Sequence, residues 1–169
     1  MRWLVDGYNV IRRAPELAAC EQESLQAGRE ALCRLLATAV HVSGDRFTVV
    51  FDGARGGGST IGSTGVRVIF SSARETADSV LARLATSGSA VVSNDHEVRR
   101  AAARAGAIAI TTDEFLARVR RPAGPDIPDK DEDNTPAGPK KGNPRRLSKK
   151  ARAAARALRR LGRTSKRFR

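Results

Sequence analysis

The sequence predicts an α/β domain with a mostly parallel sheet and helices on both faces, followed by a basic C-terminal tail. Three observations lead there. Short β-branched or apolar runs alternate with helix-like stretches, as βαβ units do. Hydrophobic residues make up 40% of the 169 residues and aromatics only 4%, so one compact core is affordable but rests on aliphatic side chains. The charge is split along the chain: residues 1–120 hold 15 Lys/Arg against 13 Asp/Glu, whereas residues 121–169 hold 16 against 5.

The strands are read at RWLVD (2–6), RFTVVFD (46–52), GVRVIF (65–70), SAVVS (89–93) and AIAI (107–110), each bounded by Gly, Ser or Asp. The helices are read at 24–40, 75–86, 95–106 and 113–121. In the first of these, Leu25, Ala31, Leu32, Leu35, Leu36 and Ala39 recur at helical spacing. The Gly-rich stretch 53–64 has no helical pattern. It reads either as a flexible loop at the active face or as a turn into an antiparallel edge strand. Residues 121–144 are rich in proline and glycine with an acidic run at Asp129–Asp133, the composition of a disordered linker. Residues 145–169 are rich in Ala, Arg and Lys, with leucines near helical spacing, and read as a basic, conditionally helical tail.

A net charge of +13 and a pI of about 11.2 point to a polyanionic partner, nucleic acid first. The tail has few bulky apolar residues with which to enter a membrane surface. No apolar run approaches the roughly 18–20 residues of a membrane-spanning helix, and the strand-like N-terminus is not a signal peptide. The expected location is cytoplasmic. Cys20 and Cys33 make neither a disulfide framework nor a zinc site and read as small hydrophobes.

In an open parallel sheet, ligands bind outside the carboxyl ends of the strands. Asp6 ends the first strand, Asp52 the second, and Asp95 follows the fourth. Asp78 lies in the first turns of the helix after the third strand, which starts at the same edge. Four carboxylates are therefore expected to converge. Each also has an ordinary reading: Asp6 and Asp52 as turn residues before glycine, Asp95 as a first-turn acid after an Asn94 cap, and Glu75 likewise after Ser72. Together they repel one another, and a hard divalent cation resolves that conflict. His41 and His96, the two histidines, are poorly placed for a zinc or nucleophilic site. The chemistry that fits is metal-assisted phosphodiester hydrolysis. Gly7 is expected to let the chain turn away from Asp6.

In this order, LVDGYNVI, VVFDG, ETADSVLARL and VVSNDHEVRRAAARAGA resemble a bacterial NYN domain of the YacP-like branch, within the PIN-like nuclease superfamily. The resemblance covers about residues 1–120. It implies a Rossmann-like three-layer α/β/α PIN-like fold and Mg²⁺- or Mn²⁺-dependent endoribonuclease activity. Asp6 matches the family's first-strand aspartate, Asn9 its motif asparagine, Asp78 the helix aspartate and Asp95 the fourth-strand aspartate. Asp52 matches an additional acidic position and Ser93 the small hydroxyl residue before the last acid. Asn94 departs from the residue usual there.

On this reading Asp6, Asp78 and Asp95 hold the metal, Asp52 a second metal or a coordinated water, and Asn9 fixes Asp6 or touches the scissile phosphate. Arg12, Arg13, Arg55 and Arg74 hold flanking phosphates, with Ser93 and Asn94 beside them. Arg145, Arg146, Lys149 and Lys150 begin the tail, which supplies sequence-independent affinity for messenger, ribosomal or ribosome-bound RNA. Removing residues 121–169 is then expected to weaken RNA binding but spare cleavage of a short oligonucleotide. The alternatives are a non-catalytic RNA-binding PIN-like module and, more remotely, a first-strand-Asp phosphatase or a nucleotide-binding protein. Tyr8 stands where the phosphatase needs its second acid, and residues 53–62 lack the Lys-Ser/Thr of a P-loop.

Overall fold

A computed structural model describes residues 1–53, 58–61, 65–120 and 148–161. The described elements run β1 (Arg2–Asp6), α1 (Gly7–Arg13), α2 (Pro15–Glu23), α3 (Leu25–Ser43), β2 (Arg46–Phe51), β3 (Gly58–Ile61), β4 (Val66–Phe70), α4 (Ala77–Leu84), β5 (Ser89–Val92), α5 (His96–Arg104), β6 (Ile108–Ile110), α6 (Thr112–Val119) and α7 (Lys149–Leu161).

The six strands form one sheet in the order β3-β4-β2-β1-β5-β6. All neighbours are parallel except β3, which runs antiparallel to β4 at the edge. The expected mostly parallel α/β sheet is present, and the stretch 53–64 supplies the edge strand. The chain first builds outward from β1 through β2 to β4, then crosses to β5 on the other side. The crevice between β1 and β5 is therefore a topological switch point, where open α/β sheets bind ligands.

Strand alternation divides the core in two. Trp3, Val5, Phe47, Val49, Phe51, Ala90 and Val92 face one side, with buried residues of α1, α3, α6 and α7. Leu4, Val50 and Val91 face the other, against Ala77, Val80 and Leu81 of α4 and Val98 and Ala102 of α5. The result is three layers, helix–sheet–helix.

Helices α3, α4 and α6 start on side-chain caps. Ser24 accepts from Ala27 N–H at 3.0 Å, Thr76 from Ser79 N–H at 3.2 Å, and Thr111 with Glu114 forms a reciprocal capping box. Helix α3 stops at Gly44, whose φ of 68° lies in the left-handed region. Neither Asn94 nor Ser72 is a cap: α5 is capped by Asp95 and α4 by Thr76. Glu75 lies ahead of α4 and pairs with Arg83 at 2.9 Å.

Two helices are absent from the sequence reading. Helix α1 contains a glycine and the β-branched Val10 and Ile11, weak helix formers that burial of Val10 and Ile11 overrides. Helix α2 starts on Pro15 at its first turn, a position proline suits.

The largest difference concerns the C-terminal segment. Helix α7 packs against α3, α6 and β6. Ala154, Ala157 and Leu161 are buried in the same core as Trp3 and Phe115. The guanidinium of Arg118 in α6 donates to the carbonyls of Leu158 (3.0 Å) and Arg159 (3.3 Å), satisfying acceptors of the last turn. Residues 149–161 are thus part of the body rather than a detached tail. The linker 121–144 lies outside the described residues.

Candidate active site

Asp6 is the last residue of β1 and the N-cap of α1. Its Oδ1 accepts from Asn9 N–H at 3.2 Å and its Oδ2 from the Ser93 hydroxyl at 3.1 Å. The strand thus lifts the carboxylate to the sheet edge, and the helix start holds it there. Gly7 does not act through backbone freedom, because its φ is not positive. A Cβ at Gly7 would stand 2.3 Å from Phe51 Cε1, so the glycine lets α1 close onto the end of β2.

The β5 side of the switch point is a connected polar network. Ser93 is fully buried and serves twice: its hydroxyl donates to Asp6 and accepts Asp95 N–H at 3.0 Å. Asn9 Oδ1 accepts from Asn94 N–H (3.1 Å) and from the buried hydroxyl of Thr112 (3.0 Å). Asn94 in turn accepts Thr112 N–H at 2.9 Å and reaches Asp113 with its amide. The asparagines therefore tie β1, β5 and α6 together. Asp95 caps α5 through Oδ1 alone, accepting from Glu97 N–H (2.6 Å) and Val98 N–H (3.1 Å), which leaves Oδ2 for a ligand.

Asp52 sits just beyond β2, where the Ser71 hydroxyl donates to it at 2.7 Å. Asp78 lies in the first turn of α4, with no hydrogen-bond partner among the described residues. All four aspartates line one cleft of about 730 Å³, together with Tyr8, Asn9, Arg12 and Arg13. Burial raises the Asp6 carboxyl above its ordinary value, opposed by its hydrogen bonds and reinforced by the charges of Asp78 and Asp95. Burial likewise raises Asp78, and Asp95 and Asp52 push it further. The mutual repulsion expected from sequence is therefore present.

The structure sorts the other candidates. Arg12 and Arg13 reach the cleft; Arg13 also pairs with Asp113 at 2.6 Å, while Arg12 lies over the Tyr8 ring. Tyr8 packs edge-on against Phe51, with its hydroxyl accepting from Arg29. Ser93 is closed to solvent, with its hydroxyl bonded to Asp6 and to Asp95 N–H. Asn94 turns toward α6, and Arg74 is exposed on the β4–α4 connection outside the cleft lining. Lys149 and Lys150 stand in a different groove, beside α5. Arg55, Arg145 and Arg146 lie outside the described residues. Two supports escaped the sequence reading, Ser71 under Asp52 and Thr112 under Asn9. An isolated Ser or Thr carries no local signal of a partner 19 or 103 positions away.

Among the described residues, no three His, Cys, Asp or Glu side chains are placed to hold one ion directly, so the cleft is not a closed cage. It is an open, oxygen-only donor set without histidine. Such a set fits a hydrated hard cation, which keeps several waters and needs only one or two carboxylates from the protein.

A family model described as the YacP-like NYN domain matches residues 3–160. The chain belongs to the YacP-like NYN domain family. The match runs through α7, in agreement with the docking of that helix onto the NYN domain. Over 84 residues the chain is 37% identical to the uncharacterized protein YacP of Bacillus subtilis (strain 168), and the alignment covers 48% of this chain and 49% of that protein, about half its length. Two crystal structures of Rae1 (YacP) from Bacillus subtilis share the fold. A mutant form is 30% identical, with a TM-score of 0.60 over 70% of this chain and 74% of that one. A second structure is 29% identical, with a TM-score of 0.55 over 70% and 73%. Membership in this PIN-like nuclease family supports a nuclease-type, RNA-related role for the NYN domain.

Proposed function

We propose that this NYN domain is a divalent-metal-dependent endoribonuclease hydrolysing RNA phosphodiesters in the cytoplasm, with Mg²⁺ or Mn²⁺ as the metal. One observation carries the reading: four carboxylates from the ends of β1 and β2, from α4 and from the β5–α5 turn line one open cleft at the switch point, where burial first and neighbouring acids second hold Asp6 and Asp78 above the ordinary carboxyl value. A bound divalent ion supplies an activated water and stabilises charge on the phosphoryl oxygens. Asp6, Asp78 and the uncapped oxygen of Asp95 are the residues to hold it, and Asp52 orients a coordinated water or holds a second ion. Asn9 acts as a positioning residue, bracing the β1 and β5 ends through Asn94 and Thr112. Arg12 and Arg13 at the cleft mouth hold flanking phosphates.

The test is cleavage of labelled RNA in Mn²⁺ with an EDTA control, wild type beside Asp78→Asn. Asp78 is preferred over Asp6 because Asp6 also caps α1 and receives the Ser93 hydroxyl. Metal-dependent cleavage that falls by at least ~100-fold in Asp78→Asn, with a melting temperature no lower than that of wild type, supports the reading. A wild type that binds RNA but cleaves none in any divalent metal would instead be a non-catalytic RNA-binding module.

A further inference from the structure

One face of α5 carries His96, Arg99, Arg100, Ala103 and Arg104, with His96, Arg100 and Arg104 exposed and Arg99 and Ala103 half-buried. These positions follow the i, i+3, i+4, i+7, i+8 spacing of one helical face, and none is acidic. The stripe looks across a groove at Lys149 and Lys150 of α7. Two adjoining cavities of about 500 and 680 Å³ fill that groove and share Arg99, Ala103, Ala109 and Lys150 in their walls.

Its charges are largely unanswered. Glu97 approaches His96 and Arg100 at 4.0 and 3.6 Å, but it is itself highly exposed. Glu114 borders the groove and is spent on the capping box of α6. Arg99, Arg104, Lys149 and Lys150 have no ion-pair partner among the described residues. Arg99 also keeps its Nε out of water without an acceptor. A solvated helix face ordinarily intersperses both signs, and a buried donor ordinarily finds an acceptor. Here small alanines floor a groove walled by cations.

The groove wall begins one residue beyond the cleft lining. His96 follows Asp95 directly, and His96 to Arg104 spans about 12 Å of helix. We propose that the α5–α7 groove is the exit track of the RNA: it holds the phosphate backbone of a single strand whose scissile bond lies at the carboxylate cleft. The track explains why α7 is docked: the helix supplies the second wall. It rests on the endoribonuclease reading, and it favours a polyanionic strand over an acidic protein because its wall begins at His96, directly after Asp95 of the cleft.

The test uses the full chain and fluorescent oligoadenylate. Binding is measured in EDTA across a KCl series, so that it does not depend on catalysis. The variant is Arg100→Gln/Arg104→Gln/Lys150→Gln, all three exposed. Losing three phosphate contacts is expected to lower the magnitude of the salt slope by about 2 and the affinity by roughly 100-fold near 0.1 M salt. Cleavage of a dinucleotide in Mn²⁺, too short to reach the groove, is expected to stay within about twofold of wild type. A matched variant, Arg34→Gln/Arg46→Gln/Arg83→Gln, removes the same charge elsewhere. Equal weakening by both variants, or an unchanged slope in the first, overturns the track. So does a first variant that retains RNA but loses polyglutamate, which assigns the groove to an acidic protein. A wild type without cleavage but with the expected salt behaviour refutes the nuclease reading alone.

Discussion

Gly7 and Asp78 illustrate two ways in which a single residue is constrained. Phe51, the ring nearest Gly7, is locked by Tyr8 at 5.2 Å, by Phe70 at 5.8 Å and by the Arg29 guanidinium, so it cannot yield to a new methyl. Gly7→Ala is expected to cost about 1–3 kcal/mol by overpacking, read by urea denaturation. Adding Phe51→Leu should recover part of it; no recovery would place the strain elsewhere. Asp78 is constrained by charge. Its folded pKa lies above the ordinary 3.8, so the native state binds the proton more tightly than the unfolded chain does. The stabilising contribution of the neutral acid is complete below 3.8 and is lost as pH rises through the raised value. In EDTA at neutral pH, Asp78→Asn should therefore melt above wild type, and the gap should close on acidification. A gap that is absent or reversed at neutral pH would show that burial and the neighbouring acids do not disfavour the Asp78 carboxylate.

At the level of elements, α7 changes what a truncation means. Leu161 is 3% exposed in the core, and Leu161→Ala should cost about 2–5 kcal/mol in chemical denaturation. Ending the chain at residue 120 strips the cover from α3, α6 and β6. The expectation of a truncated yet active domain is replaced by one of a chain without cooperative unfolding that exposes apolar surface, measurable by calorimetry and dye binding. Sequence reading placed the five main strands and four helices because their apolar periodicity is local and strong. It passed over α1 because Gly, Val and Ile favour helix weakly; only burial against the sheet stabilises that helix. It separated α7 because that helix hides its core contacts in alanines, side chains too small to announce a buried face.

At the scale of the whole molecule, one buried carboxylate joins distant parts of the chain. Asp45 accepts from the Met1 amino group and, at 2.9 Å, from the Trp3 indole, with Arg160 of α7 at 3.9 Å. Asp45→Ala would leave a part-buried ammonium and a buried indole N–H unpaired and should destabilise the fold by about 1–3 kcal/mol, read by denaturant titration. The same tertiary logic built the cleft. Asp6, Asp52, Asp78 and Asp95 were legible as candidates because each falls at the carboxyl edge of a readable strand or at a helix start beside it. Their supports were not legible: Ser71 reaches Asp52 from the end of the neighbouring strand, 19 positions on, and Thr112 reaches Asn9 from 103 positions away.

The sequence by itself determined the α/β class, the edge at which the acids gather and the polyanion-seeking charge, because strand period, strand-end residues and net charge are local or additive properties. Only the tertiary structure decided that Gly7 makes room for Phe51, that Asp95 spends one oxygen on a cap, and that the basic C-terminal helix belongs to the core. Those outcomes depend on which surfaces meet, and a contact between residues a hundred positions apart leaves no periodic trace in the chain.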